Sequence, residues 1–553
     1  MNGASQSHNT EKVQSSTREL LTAYIILVIA FIAAAAVRLY NINAAKLYFS
    51  PTRQYYSFCI AKGFYCQSAE DVSPQNRRIA AVNKEALDDK EPPVTEYLVA
   101  RIWSIFKGPN HWAPSLLCSL FWLVGGTFVF LIVKKYTTAV PAAVATAFYL
   151  LCPFGVLISR SFQPEALMVM MFLGAVYTIF NYYEKQSLRR LFVTGLVSGL
   201  AVLVKVSIIF SVWAAFIAPG ICKNGFRRTI FSRRHLAFVI LGIGPAFSYY
   251  SYLAVFTDEV RMVAESVFAP RLLWDWFFWT GWFNQLGSVV GFIPLTAAVF
   301  GIFFVRDKTV KSILTALAVG YLAYALIFTY TTATHDYYQV QLIPVVVLAV
   351  SPVLAFFLDH IRLKGSRCHR LTLAAGLLLV VAFVGLLGGV KTGAFRSESK
   401  FVRASLAFAY KFFGIRPDYL SQYGSDYPEF IERAEKIGYA VNHSEKTITL
   451  GLTVPLWYYG DYAGYRWPRH HHWSARDSHA GIGTGAKWKE YRGLGASELY
   501  EKHFSRFYPR YFVVAEPREF EKQKSLREFL FGKFKLLVQE EKYLIFDLGE
   551  PKQ

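Results

Sequence analysis

Cysteine is scarce in this sequence of 553 residues, which contains only six. The six cysteines form no regularly spaced framework, and this excludes a small scaffold held together by disulfides. Cys59 and Cys66 lie close together in a predicted outer loop, where either a disulfide or a pair of ordinary half-buried thiols would fit. The other four cysteines lie in apolar runs or basic loops and indicate no site.

Acidic residues are scarce as well, since 38 Asp and Glu stand against 59 Lys and Arg, a net charge of +21. Such an excess is found in nucleic-acid-binding proteins, but here the cations form short clusters between apolar runs. That arrangement is typical of the cytoplasmic loops of membrane proteins and disfavours nucleic acid as a partner. The clusters lie at 134–135, 185–190, 223–234, 306–311 and 362–370.

Hydrophobic residues make up 54% of the chain and come in long uninterrupted runs. A helix of about 20 apolar residues crosses the ~30 Å hydrocarbon core of a bilayer. One such run could be a buried core helix, but a whole series in one chain indicates a polytopic membrane protein. The clearest runs are 20–40, 115–133, 139–158, 164–183, 236–256, 312–331, 340–358 and 371–389.

The basic clusters predict the topology when all of them are placed in the cytoplasm. This gives about eleven spans in a cell (inner) membrane, a cytoplasmic N-terminal tail over 1–18 and a long first outer loop over 41–112. The amphipathic stretch 94–106 of that loop is expected to lie along the membrane surface, and a further outer loop is expected from about residue 257 to about 287. The first 18 residues contain no hydrophobic stretch, so we expect no cleavable signal and an uncleaved first span. The stretch 191–221 is too long for one span and has basic flanks at both ends, which predicts two short helices meeting near Lys205.

The C-terminal part of the chain has a soluble character. We expect a transmembrane domain over 19–391 and a small extracytoplasmic α/β domain over 392–553. Residues 447–452, 510–514 and 542–548 alternate between apolar and polar side chains, as strands do. The patterns of residues 497–507 and 519–532 predict helices.

Polar residues gather at the predicted outer ends of the spans. A charge inside a span costs up to about 2.5–3.5 kcal/mol on insertion scales, so a group of charges on one side indicates a polar cavity that opens outward. The group contains three cations, two carboxylates, one histidine and two tyrosines: Arg53, Arg160, Lys205, Glu91, Glu165, His335, Tyr337 and Tyr338.

Each of these residues also has an ordinary interpretation. Arg53 could hold lipid headgroups, and Glu165 could be a charge favoured by the dipole at a helix N-terminus. Lys205 could extend its ammonium group to the interface, and the tyrosines could belong to an aromatic belt. Only the whole group indicates a site.

A sugar linked to a lipid phosphate suits such a cavity. Arg and Lys, together with Tyr and His donors, bind a phosphate, and an adjacent carboxylate can act as a general base. A departing phosphate needs no general acid, because nearby cations stabilise its charge. The carboxylate would deprotonate an acceptor hydroxyl for in-line attack at the anomeric carbon, with inversion.

Several segments in order carry a resemblance to a known family. They are the Arg-Leu-Tyr end of span 1, EPPVTEYLVARIWSIFKG at 91–108, SRSFQPEALM at 159–168, GLAVLVKVSIIF at 199–210 and HDYYQVQLIP at 335–344. From residue 19 to about 390, the sequence resembles the GT-C membrane glycosyltransferases. It is most similar to the bacterial family related to protein O-mannosyltransferases and lipid A aminoarabinose transferases.

The resemblance implies a glycosyltransferase of the cell envelope. Its donor would be a polyprenyl-phosphate monosaccharide, and its acceptor an outward-facing glycan, lipid or protein. The C-terminal domain would help to select the acceptor. By resemblance, the donor phosphate would be bound by Arg53, Arg160, Lys205 and His335, helped by Tyr337 and Tyr338.

The sequence departs from the family at the expected catalytic base. The family has an acidic residue, often Asp-Glu, early in the first outer loop. Here the corresponding stretch, 51–54, reads Pro-Thr-Arg-Gln, and no acidic residue follows span 1 until Glu70. Glu91 is then the first candidate for the base, and Glu165 is the second.

A metal or nucleotide cofactor has little support in the sequence. The run His470-His471-His472 could bind a metal, but adjacent side chains diverge, so an exposed polar turn is favoured. No glycine-rich nucleotide loop is present, which disfavours a nucleoside-diphosphate sugar as the direct donor. The sequence implies no certain cofactor and leaves open whether a divalent cation helps to hold the phosphate.

Two other functions would share the spans and the cationic cavity. A transporter or flippase for lipid-linked saccharides predicts internal repeats and polar residues near the membrane midplane, whereas the sequence shows no repeat and places its polar residues at one face. A non-catalytic scaffold would leave the polar group unexplained. The transferase is therefore the main hypothesis, and the flippase is its alternative.

Overall fold

The computed structural model describes residues 17–87, 91–256, 268–363, 410–470, 490–491 and 493–551. Long apolar helices dominate residues 17–363, and a five-stranded sheet lies in the C-terminal part. The predicted fold class, a polytopic helical membrane protein with a small α/β domain, is confirmed.

The helices of the membrane part are numbered in chain order. They are α1 (Thr17–Leu39), α2 (Pro51–Ser68), α3 (Pro74–Glu85), α4 (Val94–Ile105), α5 (Trp112–Val133), α6 (Ala139–Leu151), α7 (Pro153–Arg160), α8 (Glu165–Glu184), α9 (Leu188–Val204), α10 (Ile209–Asn224), α11 (Phe226–Ile230), α12 (Arg233–Phe256), α13 (Trp276–Val289), α14 (Phe292–Phe304), α15 (Lys308–Ile327), α16 (Thr329–Thr334) and α17 (Leu342–Leu363). Short 3₁₀ turns lie at Val206–Ile208, Pro270–Trp274 and Tyr337–Gln339.

Within the described residues, seven helices are long and apolar enough to cross a membrane, or nine spans if each of two bent helix pairs counts as one. The pairs are α6 with α7, bent by 57°, and α13 with α14, bent by 90°. The sequence predicts two further spans. One corresponds to α9, a helix of 17 residues. The other, 371–389, lies outside the described residues, as does the predicted domain boundary at 391/392.

The structure corrects the prediction of an outer loop up to about residue 287, because α13 occupies its end. Tertiary contacts hold this helix: Trp282 donates a hydrogen bond to the Tyr321 hydroxyl at 3.1 Å. The sharp turn into α14 lies at Gly291, whose φ is +82° and whose missing Cβ leaves room for the backbone of Gly414. A helix of 13 residues, α14 is about 20 Å long, which is shorter than the hydrocarbon core.

The predicted first outer loop, 41–112, contains three helices, α2, α3 and α4. The helix α4 coincides with the amphipathic stretch of the sequence. Cys59 and Cys66 both lie in α2 as buried free thiols, so the interpretation of this pair as a disulfide is wrong.

The C-terminal sheet has the strand order β2-β1-β3-β5-β4. The strand β1 is parallel to β2 and β3, and β5 is antiparallel to β3 and β4. All three predicted strands are confirmed, whereas the three-residue β2 and the partly exposed β4 were missed. The bounds are β1 (Thr447–Leu450), β2 (Gly464–Arg466), β3 (Tyr511–Val514), β4 (Phe534–Glu540) and β5 (Tyr543–Pro551).

In the described stretches of the C-terminal part, six α-helices accompany the sheet: α18 (Pro417–Leu420), α19 (Pro428–Ala440), α20 (Thr453–Gly460), α21 (Ala496–Leu499), α22 (Pro517–Lys522) and α23 (Lys524–Lys533). The predicted helix over 497–507 begins as α21 and continues as a π-helical turn, Tyr500–Phe504, and a 3₁₀ turn, Ser505–Phe507. The predicted helix over 519–532 is divided between α22 and α23.

Both faces of the sheet are covered. Phe512 and Phe546 pack in a core that includes Leu530 of α23. On the opposite face, Val513 and Ile545 belong to a cluster with aromatic residues of α2 and α4. Because side chains alternate along a strand, one face of the sheet packs on α23 and the other packs on the helices of the predicted first outer loop. The C-terminal domain therefore supports α2, whose first turn carries Arg53.

Candidate active site

Arg53 and Glu91 form the outer part of a charged cluster. Arg53 lies in the first turn of α2, and its Nη2 is 2.7 Å from Oε2 of Glu91, which stands just before α4. The residue before α2, Ser50, has φ 39° and ψ 54°. A left-handed conformation at a residue other than glycine costs about 1–3 kcal/mol and persists only where surrounding contacts impose it.

Gln54, the next residue of α2, fixes the position of this turn. Its side-chain amide donates to the carbonyl of Phe49 at 2.5 Å, and its Oε1 accepts from the backbone N–H of Phe162 at 3.0 Å. The start of α2 is thereby tied to the segment between α7 and α8. In the Arg-Gln pair, Arg53 therefore belongs to the charged cluster, and Gln54 holds the turn that positions Arg53.

Lys205 occupies the centre of the cluster. It lies in extended conformation between α9 and the turn Val206–Ile208, as the sequence predicts. Its Nζ is hydrogen-bonded to Oε1 of Glu165, at the start of α8, and lies 3.5 Å from Oε1 of Glu91. The ring of Tyr338 is centred 4.8 Å from the same ammonium group. Lys205 therefore links both candidate bases.

The four charged groups differ in their access to solvent. The side chain of Glu165 is 0% exposed and that of Lys205 is 5% exposed. Arg53 and Glu91 are 24% and 21% exposed. Two cations compensate two carboxylates, so the inner pair can be buried without net charge. Only Glu91 offers a carboxylate that an incoming molecule can reach directly.

Tyr337 and Tyr338, in the segment between α16 and α17, lie beside the cluster, and His335 packs against both tyrosines. The ring of His335 lies 5.4 Å from that of Tyr337 and 5.8 Å from that of Tyr338, measured between centroids. Its Nδ1 is 2.6 Å from the hydroxyl of Thr334. Burial lowers the pKa of His335 to about 4, so the imidazole is neutral near pH 7. It can donate one N–H but adds no charge to the cluster.

Acid should destabilise the protein partly through His335. The pKa of its ring is about 4 in the folded protein against 6.5 in the unfolded chain, so protons favour unfolding between these values. Stability should fall as the pH falls from about 6.5 to about 4, by up to about 3 kcal/mol. We expect the melting temperature of His335→Gln to fall less over this range. The exposed His470→Gln is the control, and an unchanged decline in His335→Gln would contradict the assignment.

Arg160 stands apart from the other predicted phosphate ligands. Its Nη2 donates to the carbonyl of Asn41 at 2.8 Å, and its guanidinium lies 4.7 Å from the ring centre of Tyr423. The last turn of α7 directs the side chain towards the end of α1. In the described part of the chain, none of its hydrogen bonds or ring contacts involves Glu91, Glu165 or Lys205.

The sequence analysis missed three charged residues near the site. Glu96 of α4 accepts a hydrogen bond from Ser57 at 2.6 Å, and burial raises the pKa of Glu96. The sequence feature that could have identified Glu96 is its position on the apolar face of the amphipathic helix α4. Asp336 forms an ion pair of 2.6 Å with Arg416, at the start of the described C-terminal part. The two residues are 80 positions apart in the sequence, and no local sequence pattern predicts their contact.

Among the residues that the structure describes, no group of three His, Cys, Asp or Glu side chains could hold a metal ion. His470 is exposed, and its two neighbours in the histidine run lie outside the described residues.

Comparison with known proteins adds a family model that matches part of the chain and a shared fold. The sequence profile of the family described as dolichyl-phosphate-mannose-protein mannosyltransferase matches residues 90–252. No curated protein sequence matches the chain. ArnT from Cupriavidus metallidurans bound to undecaprenyl phosphate has a similar structure, with 13% identity, a TM-score of 0.57 and coverage of 95% of this chain and 98% of that chain. Its apo state gives a TM-score of 0.56 at the same identity and coverage.

A more distant likeness joins the chain to an oligosaccharyltransferase from Archaeoglobus fulgidus, solved with a tethered acceptor peptide. The identity is 11%, the TM-score is 0.50, and the match covers 96% of this chain and 76% of that chain. At these identities the solved structures establish the fold alone. The matched family segment contains Glu91, Glu165 and Lys205. The predicted resemblance is confirmed: the chain has the fold of the GT-C membrane glycosyltransferases.

Proposed function

We propose that this protein is a membrane glycosyltransferase that moves a monosaccharide from a polyprenyl-phosphate donor to an extracytoplasmic glycan, lipid or protein. The observation that carries the proposal is the cluster in which Arg53 and Lys205 surround the reachable carboxylate of Glu91. The fold shared with ArnT, solved with undecaprenyl phosphate, and the mannosyltransferase profile support this class of donor.

The cations would bind the donor phosphate. Without a ligand, Arg53 and Lys205 form ion pairs with Glu91 and Glu165. A phosphate would draw the more exposed Arg53 away from Glu91. Charge-assisted hydrogen bonds from such groups are about twice as strong as neutral ones. The hydroxyl of Tyr338 and one N–H of the neutral His335 would complete the donor set.

The transfer would then follow an inverting course. Glu91 accepts the proton of the acceptor hydroxyl, whose oxygen attacks the anomeric carbon as the bond from that carbon to the phosphate oxygen breaks. The bonding electrons leave with the polyprenyl phosphate, and Lys205 with Arg53 stabilises the charge that develops on it. The products are the glycosylated acceptor and the lipid phosphate, and the proton stays on Glu91.

Burial favours Glu91 over Glu165 as the base. Glu165 is fully buried and hydrogen-bonded to Lys205, and no acceptor hydroxyl can reach it without displacing that lysine. Its second oxygen, Oε2, is buried without a hydrogen-bond partner. We assign to Glu165 the role of holding the ammonium group of Lys205 in place.

Release of free polyprenyl phosphate from radiolabelled polyprenyl-phosphate sugars tests the proposal. The purified protein would be incubated with each donor and an envelope extract that contains acceptors. Transfer of label to an acceptor, together with lipid phosphate release, is the expected result. No turnover with any donor, combined with movement of the lipid between leaflets of vesicles, would refute the proposal and establish the flippase. Addition of EDTA to the same assay decides whether a divalent cation helps to hold the phosphate.

A further inference from the structure

A second group of cations lies at the end of α1, and the proposed transfer does not use it. Arg38, Lys46 and Arg160 are 1%, 0% and 0% exposed. Arg38 belongs to the last turn of α1, Lys46 to the connection before α2, and Arg160 to the end of α7. The three cations are neighbours: Nε of Arg38 donates to the hydroxyl of Ser159, the residue next to Arg160, at 2.8 Å, and Arg160 acts electrostatically on both Arg38 and Lys46.

The protein satisfies two of these cations with neutral acceptors. Arg38 also donates to the carbonyls of Ala34 and Gly155, at 3.1 and 3.5 Å. Nζ of Lys46 donates to the carbonyl of Ile42 at 2.9 Å. These bonds satisfy hydrogen-bond donors, but a carbonyl carries no charge to balance a buried cation.

The guanidinium of Arg160 has hydrogen-bond donors that remain unsatisfied. One of its nitrogens, Nη2, donates to a backbone carbonyl, whereas Nε and Nη1 are buried without any hydrogen-bond partner. An unsatisfied buried donor costs about 1–3 kcal/mol, and more when the group is charged. A guanidinium with two unpartnered nitrogens, which carry three N–H bonds, in a cationic cluster therefore indicates an absent acceptor.

No carboxylate compensates the three charges. Among the described residues, neither Arg38, Lys46 nor Arg160 forms an ion pair with Asp or Glu. The exposed Asp426 lies 3.5 Å from the amide of Asn41 and raises the pKa of Lys46, but it forms no ion pair with Lys46 and burial outweighs its effect. Burial, reinforced by the charge of Arg160, holds the pKa of Lys46 well below its ordinary value. An anion would relieve the charge imbalance and the unsatisfied donors together.

We propose that Arg38, Lys46 and Arg160 form a second anion site, which takes the phosphate group of a lipid at the end of α1. The first site, around Lys205, carries two carboxylates of its own and is electrically balanced without a ligand. Within the described residues no carboxylate forms an ion pair with the second site, so its affinity for a phosphate does not depend on breaking ion pairs.

The surroundings favour a lipid as the source of the phosphate. Leu39 and Tyr40, at the end of α1, are 51% and 54% exposed on the apolar outer surface of a predicted span. Tyr423 covers the cations from the other side. Its hydroxyl donates to the carbonyl of Val37 at 2.9 Å, and its ring stacks 6.4 Å from that of Tyr40.

The test uses full-length protein in phosphate-free detergent and follows the melting temperature. The background variant Lys205→Met/Glu165→Gln weakens the first site and removes both charges of its buried ion pair, so that phosphate binding at the second site is measured without binding at the first. Short-chain phosphatidic acid is the probe, inorganic phosphate is the probe without a lipid, and diacylglycerol is the lipid without a phosphate. The variants added to this background are Arg160→Gln and, as a matched control, Arg101→Gln, which removes an exposed arginine of α4.

We expect phosphatidic acid, and not diacylglycerol, to raise the melting temperature of the Lys205→Met/Glu165→Gln protein. Arg160→Gln should weaken the apparent affinity at least about tenfold, and Arg101→Gln should leave it unchanged. An equal rise with inorganic phosphate would assign the site to the phosphate group without its lipid. An unaltered affinity in Arg160→Gln would overturn the proposal.

The melting temperature without ligand separates the site from a purely structural role. Removing a buried cation that lacks a counter-charge should leave the ligand-free Arg160→Gln protein at least as stable as its parent. A structural arginine predicts instead a lower melting temperature with and without phosphate. If Arg160→Gln fails to fold, Lys46→Gln tests the same site, and retained affinity in that variant would equally overturn the proposal.

Discussion

Replacing Lys205 with methionine should lower the rate of transfer by about 10²–10³-fold. The ammonium group is hydrogen-bonded to Glu165 and lies 3.5 Å from Glu91, in a largely buried position where a charge acts strongly on a departing phosphate. Methionine keeps most of the side-chain volume but removes the charge. Radiolabelled donor turnover, measured at saturating and subsaturating donor, provides the test.

The same substitution should also destabilise the protein. It leaves Glu165 fully buried without its cation, and breaking one partner out of a buried pair costs about 3–5 kcal/mol. Loss of activity in Lys205→Met alone could therefore reflect unfolding. The double variant Lys205→Met/Glu165→Gln removes both charges, so we expect its melting temperature to recover while its activity stays low.

That pair of results separates catalysis from folding. If activity returned together with stability in the double variant, Lys205 would serve only to neutralise Glu165. Lys84→Met, on α3 away from the cluster, is the matched control, and it should retain activity.

The sequence predicted the cluster well because its signals are local. Glu165 and Lys205 stand where an apolar run begins or ends, and the cost of burying a charge in lipid makes such positions conspicuous. Lys205 illustrates this point: two basic flanks around a run too long for one span require a reversal, and the lysine lies at that reversal.

What the sequence could not provide is the direction of side chains and the contacts between distant segments. Arg160 and Glu165 are close in the sequence, yet one points to α1 and the other to Lys205. The pairing of Asp336 with Arg416 joins the site to the C-terminal part through an interaction that no periodicity encodes. The sequence analysis assigned α13 to a loop because its aromatic residues are interrupted by polar ones. In the structure, packing against α16 stabilises this helix.

Glu91→Gln should almost abolish transfer while the donor still binds. Loss of a general base slows the chemical step by about 10²–10⁴-fold. The amide keeps the shape of the side chain and frees Arg53 from its ion pair, so the affinity for polyprenyl phosphate should stay the same or rise. Turnover of radiolabelled donor and binding of the lipid phosphate, measured on the same preparation, distinguish the two effects.

Glu165→Gln is the matched comparison, because it changes the other carboxylate of the same lysine. Its amide can still accept a hydrogen bond from Lys205 but no longer balances the charge, so we expect a smaller loss of activity accompanied by lower stability. If Glu165→Gln were instead the inactive variant and Glu91→Gln kept its turnover, the base would be Glu165. The acceptor would then have to displace Lys205 to reach a carboxylate that is 0% exposed in the resting protein. The difference in exposure between these two glutamates is therefore what the comparison tests.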